Sequence, residues 1–138
     1  MESGFPKMLV VAALIECEGK LLVCQRRRGG AFELLWEFPG GKVKPGESLE
    51  VALERELREE LNVSSIVGAE LYRARHQYSE MQEPVEVVFF AAKVAAHEVE
   101  NRVFERIEWR AAERLGGLEF LAADQGLIER LTHGELKL

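Results

Sequence analysis

Hydrophobic positions along this chain follow two rhythms. Met8–Glu16 and Lys20–Gln25 are nearly continuous apolar runs rich in Val and Leu, and Cys17-Glu18-Gly19 separates them with a glycine free to turn. Runs of this kind around a short break predict a β-hairpin. Arg28–Leu35 reads as a glycine-containing loop. The stretch Trp36-Glu37-Phe38-Pro39-Gly40-Gly41-Lys42-Val43-Lys44-Pro45-Gly46-Glu47 is broken so often by Gly and Pro that it predicts loop with at most a short strand. The rhythm then changes. From Ser48 to Leu61 there is neither Gly nor Pro, and Leu49, Leu53, Leu57 and Leu61 recur at every fourth position, the pattern of an amphipathic helix. Ser48 is placed to cap it, and Glu50 in the first turn favours the positive end of its dipole. Ser65–Tyr78 and Val85–Ala95 return to strand-like sequence, with Glu105–Trp109 as a shorter strand. Ala122–Leu131 sets Leu127, Ile128 and Leu131 on one helical face, and His133-Gly134 offers a stop. The elements predict a mixed sheet with helices.

Length and composition narrow the class. A chain of 138 residues accommodates one core, so a single domain over 1–138 is expected, without repeat or linker. A hydrophobic fraction of 47% with 30% charged residues is that of a soluble globular protein and excludes disordered and collagenous classes. The net charge is −6, and basic residues are scattered apart from Arg26-Arg27-Arg28, which argues against a nucleic-acid polymer as partner. Cys17 and Cys24 are too few for a disulfide framework and are expected to stay reduced as small apolar residues. Residues 1–7 lack a charged lead into a long apolar run, and Met8–Ile15 is too short to cross a bilayer, so the expectation is a cytoplasmic protein without membrane contact. His76, His97 and His133 show no metal-ligand spacing.

The chemistry concentrates in the central helix. At about 100° per residue, Glu56, Glu59 and Glu60 share roughly a quarter-turn, with small Ala52 on the same stripe. Neighbouring carboxylates repel one another, so either a hard divalent cation lies between them or Arg55 and Arg58 pair with them on a solvated face. Gly40-Gly41 and Pro45-Gly46 join this helix to a backbone that can approach a ligand closely.

Together these residues resemble the signature of the Nudix family, Gly-x5-Glu-x7-Arg-Glu-U-x-Glu-Glu-x-Gly-U, where U is bulky and aliphatic. Gly41, Glu47, Arg55, Glu56, Leu57, Glu59, Glu60 and Val63 match it at the required spacing. Asn62 stands where the family has glycine, and asparagine is the residue that next best tolerates the left-handed turn expected there. The lead-in Trp36–Lys42 and the late Phe120-Leu121-Ala122-Ala123-Asp124 are similar to MutT-type members.

The resemblance implies an α/β (α+β) fold, an α/β/α sandwich around a mixed, curved sheet. It implies hydrolysis of a (d)nucleoside triphosphate to the monophosphate and pyrophosphate, with nucleotide-pool sanitation of 8-oxo-dGTP-like, dCTP-like or other substrates as the role. Gly40, Glu56, Glu59 and Glu60 would hold Mg²⁺, with Mn²⁺ as an alternative. Arg55 would orient the carboxylates, and Glu47 would pair with Arg55 across the loop. The general base would be Glu56, or a later glutamate, Glu105 or Glu100. Lys42, Arg26 and Arg27 are candidates to pair with phosphates, the arginines equally serving solubility at a sheet edge. Phe38 and Asp124 would meet the base, with Phe32, Leu35 or Trp36 as walls, and Asp124 equally reads as the N-cap of the last helix. The partner is a small nucleotide, and the protein a monomer or homodimer. Two alternatives stay open: hydrolysis of a dinucleotide or nucleotide sugar, and a binding module that does not turn its ligand over. Retention of every carboxylate of the signature favours an enzyme.

Overall fold

The computed structural model describes residues 8–138, so the expectation about residues 1–7 lies outside the described residues. The elements run β1 (Met8–Cys17), β2 (Lys20–Gln25), β3 (Trp36–Glu37), β4 (Gly40–Lys42), α1 (Leu49–Leu61), β5 (Ser65–His76), β6 (Val85–Val94), β7 (Arg106–Ala111) and α2 (Gln125–Thr132), with short 3-10 turns at Ala96–Glu98, Ala112–Gly117 and Ala122–Asp124.

The predicted hairpin is present and tight. Cys17 pairs with Lys20, leaving Glu18 (φ 52°) and Gly19 (φ 79°) as a two-residue turn. Two successive positive φ values match the right-handed twist of the flanking strands. Beyond Glu16↔Leu21 the two strands part. β2 goes on to pair with β7 and β3, while β1 pairs in parallel with β6 and antiparallel with β4. The segment Trp36–Lys42 therefore fills the divergence between β1 and β2, with the Ala13 N–H donating to the Pro39 carbonyl at 2.8 Å. The sheet order is β3-β2-β1-β6-β5, with β4 against β1 and β7 against β2.

Both faces of the sheet are covered, which explains why β1 and β6 read as unbroken apolar runs. Val11, Ala13, Ile15, Val88 and Phe90 point to the face where α1 lays Ala52, Leu53, Leu57 and Leu61. Ala12, Leu14, Val87 and Phe89 point to the opposite face, where Leu127, Ile128 and Leu131 of α2 pack. The fold is thus a mixed sheet between helices, α+β. Each fully buried leucine of α1 contributes on the order of 2 kcal/mol of apolar burial.

Helix α1 begins as its sequence dictates, with the Ser48 hydroxyl accepting from the Val51 N–H at 3.1 Å. It ends at Asn62, whose φ of 53° and ψ of 41° put it in the left-handed region, with its N–H donating to the Arg58 carbonyl. The turn thus survives without the glycine.

The C-terminal element differs from the expectation. Ala122–Asp124 is a 3-10 turn, and the α-helix starts only at Gln125. Asp124 has helical dihedrals and makes no capping hydrogen bond, which corrects the reading of it as an N-cap. A cap must sit in extended backbone to turn its side chain back onto the helix amides, and Asp124 is already inside the helical path. The short strand also shifts, running over Arg106–Ala111 so as to pair with the whole of β2, and leaving Glu105 ahead of it.

Candidate active site

The site lies where β4 and α1 meet. Gly40, at φ 155°, lies so close to β1 that a side chain there would collide with the Val11 carbonyl. Gly41 is equally constrained on its other side, because a Cβ would strike the Glu56 carboxyl group. The glycine pair thus lets a strand edge carry the carboxylate of a helix directly against its backbone.

Arg55 organises the acids around it. Its Nε donates to Glu47 Oε2 at 2.6 Å, and its Nη2 donates to Glu47 Oε1 at 2.9 Å and to the Lys42 carbonyl at 3.0 Å. Its Nη1 reaches Glu56 Oε2 at 3.0 Å and Glu59 Oε1 at 3.3 Å. The ion pair expected between Glu47 and Arg55 is present in forked, bidentate form, the geometry that a planar guanidinium favours. The Arg55 hydrogen bonds, with the Lys44 N–H, hold the Glu47 carboxyl down at about 2, and the same contacts raise Arg55.

Glu60 lies deeper. Its Oε1 accepts the Gly40 N–H at 3.1 Å, and burial, with the charges of Glu37 and Glu56, pushes its carboxyl up to about 9. Carboxylates so placed have oxygens to offer and too little positive charge nearby to balance them, which is the donor chemistry of a hard divalent cation. Among the described residues no three His, Cys, Asp or Glu side chains converge as a ready-made cage. Magnesium does not require one, because it is held by one or two carboxylates together with waters and substrate phosphates. Glu56 and Glu60 fit that arrangement; Glu59, with its side chain 54% exposed, turns outward to Arg55.

A cavity of about 550 Å³ opens beside these residues. Gly40, Gly41, Lys42 and Glu60 belong to its lining, and so do Phe32, Phe38, Tyr78 and Asp124. Phe38 is held by stacking on Phe120 at 5.7 Å and by an edge contact to Phe89 at 6.2 Å. Asp124 is 4% exposed, and burial, with the Glu37 charge, pushes its carboxyl well above the usual carboxylate range. A second hollow of about 220 Å³ shares Arg26, Glu37 and Glu60 with the first and adds Arg27 and Phe104.

The structure sorts the sequence candidates. Glu56, Glu60, Gly40 and Arg55 come together; Lys42, Arg26, Phe38 and Asp124 share the cavity with Glu60 and Gly40, while Glu56 lies against Gly41 of its wall without lining it. Arg26 differs from a free phosphate ligand, because its Nη1 is paired with both Glu37 oxygens at 3.1 Å and its Nε donates to the Ala31 carbonyl. Of the proposed walls only Phe32 lines the cavity. Trp36 is buried with the Arg106 guanidinium over its ring, and both it and Leu35 are absent from the lining. Glu105 accepts the Arg28 N–H at 3.2 Å, and Glu100 accepts from the Asn62 side chain at 2.9 Å; neither lines either hollow.

Two residues of the site escaped sequence reasoning. Glu37 was visible as a charge between the buried aromatics Trp36 and Phe38, a signal that it faces a different environment from them. Burial raises its carboxyl against the pull of Arg26. Tyr78 carried no such signal, because it follows a strand and reaches the cavity only through the path of the segment beyond it.

Comparison with known proteins agrees with this geometry. The NUDIX domain family model matches residues 6–131. The 8-oxo-dGTP diphosphatase of Haemophilus influenzae is 35% identical over 125 residues, 90% of each chain. The CTP pyrophosphohydrolase of Escherichia coli is 54% identical over 68 residues, a match that spans 49% of each chain. The crystal structure of the MutT protein from Methanosarcina mazei superimposes with a TM-score of 0.83 at 26% identity, covering 99% of this chain and 100% of that one. With the signature, the glycine-backed carboxylates and the sandwich in agreement, the chain belongs to the Nudix hydrolase family, as a MutT-like enzyme.

Proposed function

We propose that this enzyme hydrolyses a (d)nucleoside triphosphate to the monophosphate and pyrophosphate in a Mg²⁺-dependent reaction, acting on the cytoplasmic nucleotide pool. The observation that carries this reading is that one cavity is lined both by Glu60 with the glycine backbone and Lys42 of β4 and by the aromatic and acidic set Phe32, Phe38, Tyr78 and Asp124. A cavity of about 550 Å³ suits a heterocycle and its sugar, with the phosphates directed at the acids. Magnesium, when bound by Glu56 and Glu60, neutralises phosphate charge and orients the diphosphate, and manganese accepts the same oxygen donors.

The chain's own residues do the rest. Arg55 holds Glu56 against Gly41. Glu56 accepts the proton of the attacking water as the phosphoanhydride bond breaks and pyrophosphate leaves. Glu105 is disfavoured as the base because the Arg28 amide engages its carboxyl, whereas Glu56 lies against Gly41 of the cavity wall. Lys42 and Arg27 supply positive charge along the phosphates.

Asp124 carries the base preference. As a neutral acid it offers one donor and one acceptor side by side, matching the ring nitrogen and amino group of cytosine. As a carboxylate it only accepts, matching the ring N–H and amino group of guanine. Its burial favours the neutral form, and the E. coli CTP pyrophosphohydrolase supports a cytosine triphosphate as substrate. The H. influenzae 8-oxo-dGTP diphosphatase, matched over most of its length, supports an oxidised guanine triphosphate as the second reading.

The test is release of pyrophosphate against phosphate from ordinary and oxidised (d)NTPs, nucleotide sugars and dinucleotides, with Mg²⁺ and with chelator. Mg²⁺-dependent pyrophosphate from a cytosine triphosphate is the expected result. Cleavage confined to dinucleotides or nucleotide sugars overturns the substrate, and no release from any compound overturns the activity.

A further inference from the structure

Tyr78 lies in the segment between β5 and β6, buried although the residues on either side of it in sequence are exposed. Its hydroxyl oxygen accepts the Ala123 N–H at 2.9 Å, a buried bond between residues far apart in sequence. That amide belongs to the opening of the 3-10 turn ahead of α2, where backbone donors have no partner within their own helix. The next residue is Asp124, which lines the cavity and whose carboxyl makes no capping bond to its own helix. The Tyr78 hydroxyl is therefore a fastening on the backbone that aims Asp124.

The ring of Tyr78 is fixed from two further directions. Phe32 approaches it at 4.8 Å and 57°, and His76 at 4.5 Å and 67°. Phe32 is itself held at a φ of 53°, a conformation that an aromatic residue adopts only when its surroundings impose it. Three separate segments converge on this one side chain: the loop after β2 through Phe32, the β5–β6 connection through Tyr78 itself, and the approach to α2 through Ala123. Burial raises the Tyr78 hydroxyl above its ordinary value, so it stays protonated at neutral pH and keeps an O–H to donate.

We infer that Tyr78 is a positioning residue for nucleobase discrimination, its hydroxyl holding Ala123 so that the Asp124 carboxyl presents a constant hydrogen-bonding edge to the base. The inference rests on the proposed nucleoside triphosphate reading and deepens it. Tyr78 touches no reacting atom. It sets which heterocycle fits, and leaves the acids of β4 and α1 unchanged.

Tyr78→Phe removes the hydroxyl and keeps the ring, and two measurements read it. With chelator present, CMP and UMP are titrated by calorimetry into wild-type and variant protein. The ratio of their dissociation constants is expected to shrink about tenfold in Tyr78→Phe, the scale on which a lost hydrogen-bonded edge is felt. With Mg²⁺, kcat on the preferred triphosphate is expected to stay within about twofold while KM rises about tenfold. An unchanged base ratio in a folded Tyr78→Phe protein overturns the inference, whatever its thermal stability.

A double-mutant cycle with Asp124→Ala separates positioning from general loosening. If Tyr78 acts through Asp124, Tyr78→Phe has no further effect on the base ratio once Asp124 is alanine. An undiminished effect in that background also overturns the inference. A wild-type protein that binds CMP and UMP with discrimination but hydrolyses no triphosphate overturns the parent reading alone, because the monophosphate arm still reads Tyr78. Failure to discriminate between the monophosphates overturns the inference even where hydrolysis is found.

Discussion

The two halves of the site are built in different ways. At the acidic end, Gly40, Gly41, Lys42, Glu47, Arg55, Glu56 and Glu60 come from one strand, one turn and one helix that follow each other in the chain. They are tied to one another by Arg55 and by the Gly40 amide. At the base end, Phe32, Phe38, Tyr78 and Asp124 come from four segments; a ring contact joins Phe32 to Tyr78, a single buried hydrogen bond joins Tyr78 to the amide ahead of Asp124, and Phe38 is held separately by Phe89 and Phe120. The first arrangement is dictated by local spacing and charge. The second depends on how the loops over the divergent sheet meet. Catalysis is therefore expected to be sensitive to single atoms at the acidic end, and specificity to the joints at the base end.

The strongest challenge to this contrast is removal of charge without change of shape. Glu60→Gln and Glu56→Gln each keep volume but lose the ligand charge, and turnover is expected to fall by ~10²-fold or more. The fold should persist, because an amide at Glu60 relieves the burial of a charged group beside Glu37. Steady-state kinetics with melting curves reads both; near-wild-type kcat in either folded variant removes the acidic end from the mechanism.

Gly41→Ala adds one methyl group where the Glu56 carboxyl lies. The carboxyl must move or β4 must shift, and overpacking of this kind costs about 1–3 kcal/mol. Turnover is expected to drop about tenfold or more with KM for the triphosphate changed less, since the displaced group acts in the chemical step. A wild-type rate in Gly41→Ala would show that the close approach of Glu56 to this backbone is incidental.

At the base end, Asp124→Ala and Asp124→Asn should part company. Asparagine keeps a donor beside an acceptor and is expected to retain the cytosine preference, whereas alanine is expected to lower it about tenfold, with kcat on the best substrate little affected. Competition between two triphosphates in one reaction measures the ratio directly. A collapse of kcat in Asp124→Ala would join the two ends into one unit and break the contrast.

The same contrast explains what the sequence disclosed. The helix over 48–61, its Ser48 cap, the left-handed Asn62 and the Glu47–Arg55 pair were all legible, because each depends on residues within a few turns of chain. The sandwich was legible from continuous apolar runs, which only a sheet covered on both faces explains. The role of Asp124 was left divided between cap and base contact, because composition cannot say whether the helix starts before or after it. Phe32, Leu35 and Trp36 looked equivalent as walls, because nothing local says which of them the fold carries to the cavity; only Phe32 reaches it. Arg26 read as a free cation, since nothing local announces that Glu37, eleven residues on, has claimed it. Tyr78 was silent altogether, because its function is a contact with residue 123.

The mildest expected effect concerns the scaffold of the acidic end. Glu47 touches no cavity, yet its carboxyl is held near 2, against an ordinary 4.5, by the Arg55 fork and the Lys44 amide. A carboxyl depressed in the folded state contributes stability that is fully present above its ordinary value and is lost as pH falls through its folded value. The difference in melting temperature between wild type and Glu47→Gln should therefore be constant from neutral pH to about 5 and shrink progressively between 4.5 and about 2. At neutral pH the variant is expected to lose little activity, because Arg55 keeps its contacts to Lys42, Glu56 and Glu59. Tyr78→Phe, by contrast, should show no such acid-linked change, since its hydroxyl bonds a backbone amide that does not titrate. A melting difference for Glu47→Gln that stays flat down to pH 2 would mean that the fork does not persist in solution, and that the acidic end is assembled only when substrate arrives.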